Sequence, residues 1–323
     1  MTRKVGLSLL TVVALLLCAT PANAAHVACG DTITATTVLD SDVVCAGRQD
    51  TGLRIGAGNL TLWLNGYTVR GPGAGTGIHE EPSGTGILSD TGDLAPTFSG
   101  VDIRGGGIEG FAHGISVKVS DSFVRNVSVT TSKSGILLAG DRNQVYRSRV
   151  GLTGDQTEGD GITVAGADAY LWNNLVFGDA QFALQTQGEN PRVILNTVEN
   201  CLRSTGIFVV NYTTTALVAQ NRLRGCNIGI TAWGSGARVQ RNEASRGCVG
   251  MVVRDSAARV RYNTTNQNCG AGIDSDDAGT TLTGNVANRN ESYGIYAAAG
   301  TVDGGGNTAV GNGTGNCVNV SCP

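Results

Sequence analysis

Asn221-Arg222-Leu223-Arg224-Gly225-Cys226-Asn227-Ile228-Gly229-Ile230-Thr231-Ala232-Trp233 is followed, one period later, by Asn242 through Gly250-Met251-Val252-Val253-Arg254. An Asn opens each stretch, and a Gly followed by a large aliphatic residue stands eight residues on. The Gly-aliphatic pair also occurs at Gly114-Ile115, Gly135-Ile136, Gly161-Ile162, Gly206-Ile207, Gly272-Ile273 and Gly294-Ile295, and Ala183-Leu184 fills the single gap. From Gly114 to Gly294 the beat averages 22.5 residues. A fixed beat of this length marks a repeat architecture, in which each unit buries its apolar face only by stacking on the next.

A strand must alternate its faces, so the columns that follow each Gly test for one. The first reads Ile115, Ile136, Ile162, Leu184, Ile207, Ile230, Met251, Ile273 and Ile295. Two residues later stand Val117, Leu138, Val164, Thr186, Val209, Ala232, Val253, Ser275 and Ala297. Both point inward. The position between them is mixed (Ser116, Leu137, Thr163, Gln185, Phe208, Thr231, Val252, Asp274, Tyr296) and points out. A polar column keeps the same beat: Asn126, Ser148, Asn174, Asn196, Asn221, Asn242, Asn263, Asn285 and Asn307. A side-chain amide both donates and accepts, so Asn stacked on Asn satisfies buried polar groups along a ladder. Helical solenoids have longer repeats, and leucine-rich repeats need a Leu-x-x-Leu-x-Leu frame. The expected fold is all-β: a single right-handed parallel β-helix of roughly 10 to 12 turns, a rod about 50 Å long at the strand-pair spacing.

The sequence also resembles a known group, the secreted right-handed parallel β-helix proteins of the pectate-lyase-like superfold. These include relatives of the periplasmic protein that matures the copper site of nitrous oxide reductase. The likeness rests on Leu60-Thr61-Leu62-Trp63-Leu64-Asn65-Gly66-Tyr67-Thr68-Val69, similar to that group's Leu-Asn-Gly-His-Thr-Ile opening, followed by Gly77-Ile78 and Gly86-Ile87. It spans residues 52–312 and implies a fold rather than an activity, because the repeats record stacking. Trp63 and Tyr67 replace the commoner Asp and His, so the opening turn carries no inherited ligand.

Residues 1–24 read as a secretory signal peptide. Arg3 and Lys4 precede an apolar run from Val5 to Leu17 and the small-residue site Ala22-Asn23-Ala24. Residues 25–51 read as an N-terminal cap, 52–312 as the β-helix and 313–323 as a C-terminal disulfide tail. Without the peptide the chain has 21 basic and 26 acidic residues, a net charge of −5. That balance argues against nucleic-acid binding through a general basic footprint. No other stretch suggests membrane insertion, and the protein is expected to be secreted or periplasmic, and monomeric.

The mature chain keeps eight Cys, an even number suited to an oxidising compartment. Cys201, Cys226, Cys248 and Cys269 each follow the ladder residue of their turn by five or six positions. Neighbours in such a column stack within disulfide range, whereas a zinc site would show Cys-x2-Cys spacing or accompanying His. The expected pairs are Cys201–Cys226, Cys248–Cys269, Cys29–Cys45 and Cys317–Cys322. Joining Cys226 to Cys248 is the alternative left open.

Chemistry is sought on the outward columns. Four residues after each Gly stand Trp233, Arg254 and Asp276 on three successive turns, with Asp274 beside Asp276. An aromatic face next to an Arg and two carboxylates can stack a sugar ring, hold a uronate and bind Ca2+. The expected roles are substrate binding for Trp233 and catalysis for Arg254, Asp274 and Asp276. A plain surface ion pair beside an exposed Trp is the competing account. Asp155, Glu158 and Asp160, in a Gly-flanked turn, are the candidate ligands for a hard cation, and calcium is the one cofactor the sequence suggests. Asp160-Gly161-Ile162 and His113-Gly114-Ile115 resemble polygalacturonase motifs. Their order is reversed, however, and that family's Asp-Asp-Cys and Arg-Ile-Lys motifs are missing. The expected function is binding, with cleavage or epimerisation by a lyase, epimerase or glycoside hydrolase, of a polysaccharide or cell-surface glycan. The alternative is a non-catalytic scaffold for surface attachment, assembly or metal delivery.

Overall fold

The computed structural model describes residues 24–47, 51–73, 84–89, 98–153, 159–211, 215–255 and 257–323. The proposed signal peptide lies almost wholly outside them. Among the described residues there is no helix, every paired strand is parallel, and the chain winds a right-handed β-helix of about 12 turns. A parallel pair can be joined only by a crossover, and right-twisted strands make that crossover right-handed.

One turn shows the plan. Arg192–Ile194, Thr197–Glu199 and Thr205–Asn211 are its three strands. Each pairs with its counterpart one turn on, namely Leu217–Ala219, Arg222–Arg224 and Ile228–Gly234. Stacking these counterparts gives three sheets: sheet 1 holds the Gly-Ile strands, sheet 2 the strands typified by 192–194, and sheet 3 those typified by 197–199. The segment before residue 51 joins the coil, since Thr32–Ile33, Thr37–Leu39 and Val43–Val44 pair with the turn that follows. At the other end Gly315–Val318 pairs with Tyr293–Ala297 in sheet 1.

The core is the prism enclosed by the three sheets. Ile115, Ile136, Ile162, Leu184, Ile207, Ile230, Met251, Ile273 and Ile295 are all buried in sheet 1, as is the Val117 to Ala297 column. Each fully buried Ile or Leu contributes about 1.5–3 kcal/mol of transfer free energy, which is repeated on every turn. The Gly that precedes each Ile is there for close approach, not for an unusual φ. A Cβ at Gly229 would lie 2.4 Å from Gly250 O and 2.7 Å from Ala244 Cβ, where sheets 1 and 3 converge.

Sheets 2 and 3 meet at a sharp bend. Asn126, Arg147, Asn173, Leu195, Gln220, Arg241 and Tyr262 occupy the same place on successive turns, all left-handed with φ between 51° and 58°. Such a backbone costs an ordinary residue about 1–3 kcal/mol, and the next residue compensates. Asn196 donates its backbone N–H and its Nδ2 to Asn221 Oδ1 at 2.9 and 3.0 Å, and Nδ2 also donates to Leu171 O at 3.0 Å. The same pattern links Asn174, Asn196, Asn221, Asn242, Asn263, Asn285 and Asn307, all buried.

Asn126 is not part of this ladder, contrary to the expectation from spacing. It is exposed and sits in the bend column. Its neighbour Val127 holds the ladder position, with the Val127 N–H donating to Ser148 Oγ at 3.4 Å. The interval from Asn126 to Ser148 matches the mean beat, but this turn is one residue shorter. A one-residue slip moves a side chain to the other face.

A second amide ladder follows sheet 3, where Asn268 N–H donates to Asn290 Oδ1 and Asn290 N–H to Asn312 Oδ1. On earlier turns this corner carries disulfides. Cys201–Cys226 and Cys248–Cys269 have Cα separations of 4.3 and 4.4 Å, and Cys29–Cys45 and Cys317–Cys322 have separations of 5.3 and 6.0 Å. The four central cysteines form two adjacent columns. Cys201 and Cys226 stand five residues after their ladder Asn, whereas Cys248 and Cys269 stand six after, so Cys226 and Cys248 are out of line.

Candidate functional site

The outer surface of sheet 1 is where the sequence-selected residues come together. Trp233 and Arg254 are register partners on adjacent strands. Arg254 Nε donates to Asp276 Oδ2 at 3.1 Å, one turn further on. None of the three is covered: Trp233 is 52% exposed, and the Arg254 and Asp276 side chains are 55% and 47% exposed. An exposed ion pair of this kind adds little stability. It does hold a guanidinium and a carboxylate in fixed relation beside an indole.

The aromatic surface is longer than the sequence suggested. Phe182 and Phe208 stack with centroids 4.4 Å apart and planes 11° from parallel, and Phe208 meets Trp233 edge-on at 6.5 Å. Phe182, Phe208 and Trp233 lie on successive strands, 182–187, 205–211 and 228–234. Phe182 was missed because it belongs to the column two residues before the buried aliphatic, which otherwise reads His113, Ser134, Asp160 and Thr205 in this region. The signal was an aromatic directly before Ala183, the one break in the Gly series.

Asp274 faces outward between Val252 and Tyr296, its register partners. Its half-buried carboxyl is pushed above the usual aspartate range, mainly by loss of hydration and then by the Asp276 charge, with Arg254 opposing. Two neighbouring carboxyls in unlike settings are the arrangement that divides acid and base roles.

Asp160 is half-buried. Its Oδ2 accepts from Thr163 Oγ1 at 2.7 Å and its Oδ1 from the Phe182 N–H at 3.3 Å. Burial raises its pKa and these hydrogen bonds oppose the rise. Both carboxylate oxygens are therefore engaged within sheet 1. Asp155 and Glu158, the other candidate cation ligands, lie outside the described residues. His113 and Asp160 occupy one column with Ser134 between them, two strand spacings or about 10 Å apart, too far for the direct contact that their motif likeness evokes. Burial, then the Lys133 charge, lowers the pKa of His113.

A β-helix with an open sheet carrying aromatic side chains beside a charged pair defines the class: a parallel β-helix protein with its candidate site on a solvent-facing sheet. Within that class the chain belongs to the NosD family, whose sequence model, described as periplasmic copper-binding protein (NosD), matches residues 148–321. The family and the four disulfides together place the protein outside the cytoplasm. No curated protein matches the chain in sequence.

Among solved structures the chain is similar to a mutant of the periplasmic alginate epimerase AlgG, with a TM-score of 0.51 and 12% identity, covering 92% of this chain and 79% of that one. It is also similar to endopolygalacturonase I from Stereum purpureum, with a TM-score of 0.44 and 13% identity over 92% of this chain and 96% of that one. The Dettilon tailspike protein matches with a TM-score of 0.49 and 13% identity over 87% of this chain. This chain spans 61% of the tailspike's length. At such identities the likeness is one of fold.

The described residues do not fit a copper site. The eight described cysteines are all in disulfides. Met251 is fully buried in the core. No group of three His, Cys, Asp or Glu side chains among the described residues could hold a metal ion.

Proposed function

We propose that this protein binds a polysaccharide in the periplasm, laid along the outer face of sheet 1. The sugar rings would stack on Phe182, Phe208 and Trp233, and an acidic sugar would reach Arg254. The observation that carries this reading is the run of three touching aromatic side chains that crosses successive strands diagonally and ends at Trp233, the register partner of Arg254 in the exposed Arg254–Asp276 pair. Apolar sugar faces pack on aromatic rings, and a guanidinium recognises a carboxylate through paired charge-assisted hydrogen bonds. For a uronate held there, Asp276, hydrogen-bonded to Arg254, and Asp274, which retains its proton more readily than an ordinary aspartate, offer a base and an acid for lyase or epimerase chemistry.

A glycan array read with and without added calcium, combined with a uronate lyase and epimerase assay on the mature protein, tests the proposal. Trp233→Ala and Arg254→Ala should each weaken glycan binding at least about 10-fold while leaving the melting temperature within a few degrees. Unchanged binding in both variants would defeat the reading. Silence of the wild type in every assay would favour the non-catalytic scaffold, which the exposed Leu137 on the same face suits.

A further inference from the structure

A groove of about 470 Å³ runs along the outside of sheet 3, on a different face of the rod from Trp233 and Arg254. Its lining includes Arg222, Arg224, Arg246 and Arg289, and Glu243 is its one acidic residue. Arg222 Nε lies 3.8 Å from Glu243 Oε2, a loose and exposed contact. Arg224, Arg246 and Arg289 are exposed and have no ion-pair partner among the described residues. Three unpaired guanidiniums in one groove are unexpected in a chain of net negative charge.

The floor of the groove sharpens the reading. Arg224, Ser245 and Asn266 are register partners on successive strands of sheet 3. The Asn288 backbone N–H donates to Asn266 Oδ1 at 2.9 Å, and the Val310 N–H donates to Asn288 Oδ1 at 2.8 Å. Those backbone donors settle which atom of each amide is oxygen. The Nδ2 groups of Asn266 and Asn288 make no hydrogen bond among the described residues. Beside them Gln267 Oε1 accepts from Arg246 Nε at 3.3 Å, leaving the Gln267 amide N–H groups unused. Apart from Glu243 and the Ser245 hydroxyl, the side-chain oxygens here are consumed internally and the nitrogens face outward. The groove is a surface of donors, most of them charged.

The adjoining face has the same character. Arg238 and Arg259 stand directly opposite one another in sheet 2 and are both exposed. Like charges so placed are destabilising, and neither has an ion-pair partner among the described residues.

We infer that the sheet 3 groove is a second binding site, for an extended acidic glycan whose carboxylate or sulfate groups recur along the chain and meet Arg224, Arg246 and Arg289 in turn. Successive turns are about 4.8 Å apart, so Arg246 and Arg289, two turns apart, suit charges roughly 10 Å distant. Asn and Gln donors between them suit the hydroxyl and ring oxygens of a sugar. The groove lining includes no aromatic side chain, whereas single-stranded nucleic acids are held largely by stacking on such side chains. This inference does not rest on the sheet 1 reading.

The test is binding of the mature protein to a heparin oligosaccharide, a sulfated probe, and to oligoalginate, a carboxylated one, measured by calorimetry at two salt concentrations. The wild type should bind at least one probe, more weakly at the higher salt. The triple variant Arg224→Gln/Arg246→Gln/Arg289→Gln should lose at least about 10-fold in affinity for it, with an unchanged circular dichroism spectrum. The triple substitution should cost the same factor in a Trp233→Ala background as in the wild type, which separates this groove from sheet 1. The inference fails if neither probe binds, if the triple variant binds as well as the wild type, or if Arg142→Gln, far from the groove, costs as much. Tighter binding of single-stranded DNA than of either glycan would overturn the assignment to a glycan.

Discussion

Asn242 Oδ1 accepts two hydrogen bonds from Asn221, one from its backbone N–H at 2.9 Å and one from its Nδ2 at 3.0 Å. Asn242 passes the same pair of bonds to Asn263 and anchors Val218 O on the turn behind. Each buried amide therefore satisfies the turn before it and is satisfied by the turn after.

Asn242→Ala should destabilise the protein by about 2–5 kcal/mol, because it strands two buried donors of Asn221 as well as the Val218 carbonyl. Asn126→Gly should change stability by less than about 1 kcal/mol, since that residue is exposed in a left-handed bend that Gly accepts. Urea denaturation of both variants checks the contrast. Equal effects would mean that the ladder is not what holds this corner.

Leu195 occupies the bend column with φ 58° and is 44% exposed. Leu195→Gly should raise stability by about 0.5–1 kcal/mol, because it relieves a left-handed backbone that costs Leu more than Gly. Thermal unfolding would show the rise, and a drop would mean that Leu195 makes a contact worth more than the strain.

Non-reducing peptide mapping should find Cys201 joined to Cys226 and Cys248 to Cys269, with no Cys226–Cys248 product. Loops of 25 and 21 residues imply a loss of about 3 kcal/mol for each bridge removed. Cys201→Ala/Cys226→Ala should show this as a lower denaturation midpoint.

His113 prefers its neutral form in the folded protein, because burial and Lys133 lower its pKa below the ordinary 6.5. Above pH 6.5 the residue is neutral in both states and imposes no penalty. As pH falls below 6.5 the unfolded chain takes up a proton that the folded one resists, so stability declines until the lowered pKa is passed. The stability difference between wild type and His113→Gln, followed from pH 8 to pH 4, should shift against the wild type over that interval. A flat difference would mean that the imidazole is freely hydrated.

Asp274 has the opposite sense. Its raised pKa means that its stabilising contribution is greatest at low pH and is lost as pH rises from the ordinary 3.8 through the raised value. Asp274→Asn should therefore gain on the wild type in stability between acid and neutral pH. Any uronate-directed activity should fall in the same variant if Asp274 supplies the proton.

What the amino-acid sequence determined by itself was everything that repeats locally. The Gly-Ile beat, the alternation of Ile115 with Val117, the Asn series from Asn174 onward and the five-against-six offset of the cysteines are all carried within one turn or between adjacent ones. They follow from a backbone that reverses its faces every residue and must pair each buried amide. Tertiary structure decided what depends on the summed lengths of several turns, which vary from 21 to 26 residues. It moved Asn126 to the bend, separated His113 from Asp160 and brought Phe182 onto Phe208. It also set Arg254 against Asp276 and gathered Arg224, Arg246 and Arg289 along one groove. A side chain's neighbours on the outside of a solenoid lie a whole turn away in sequence, and one extra loop residue changes which of them it meets.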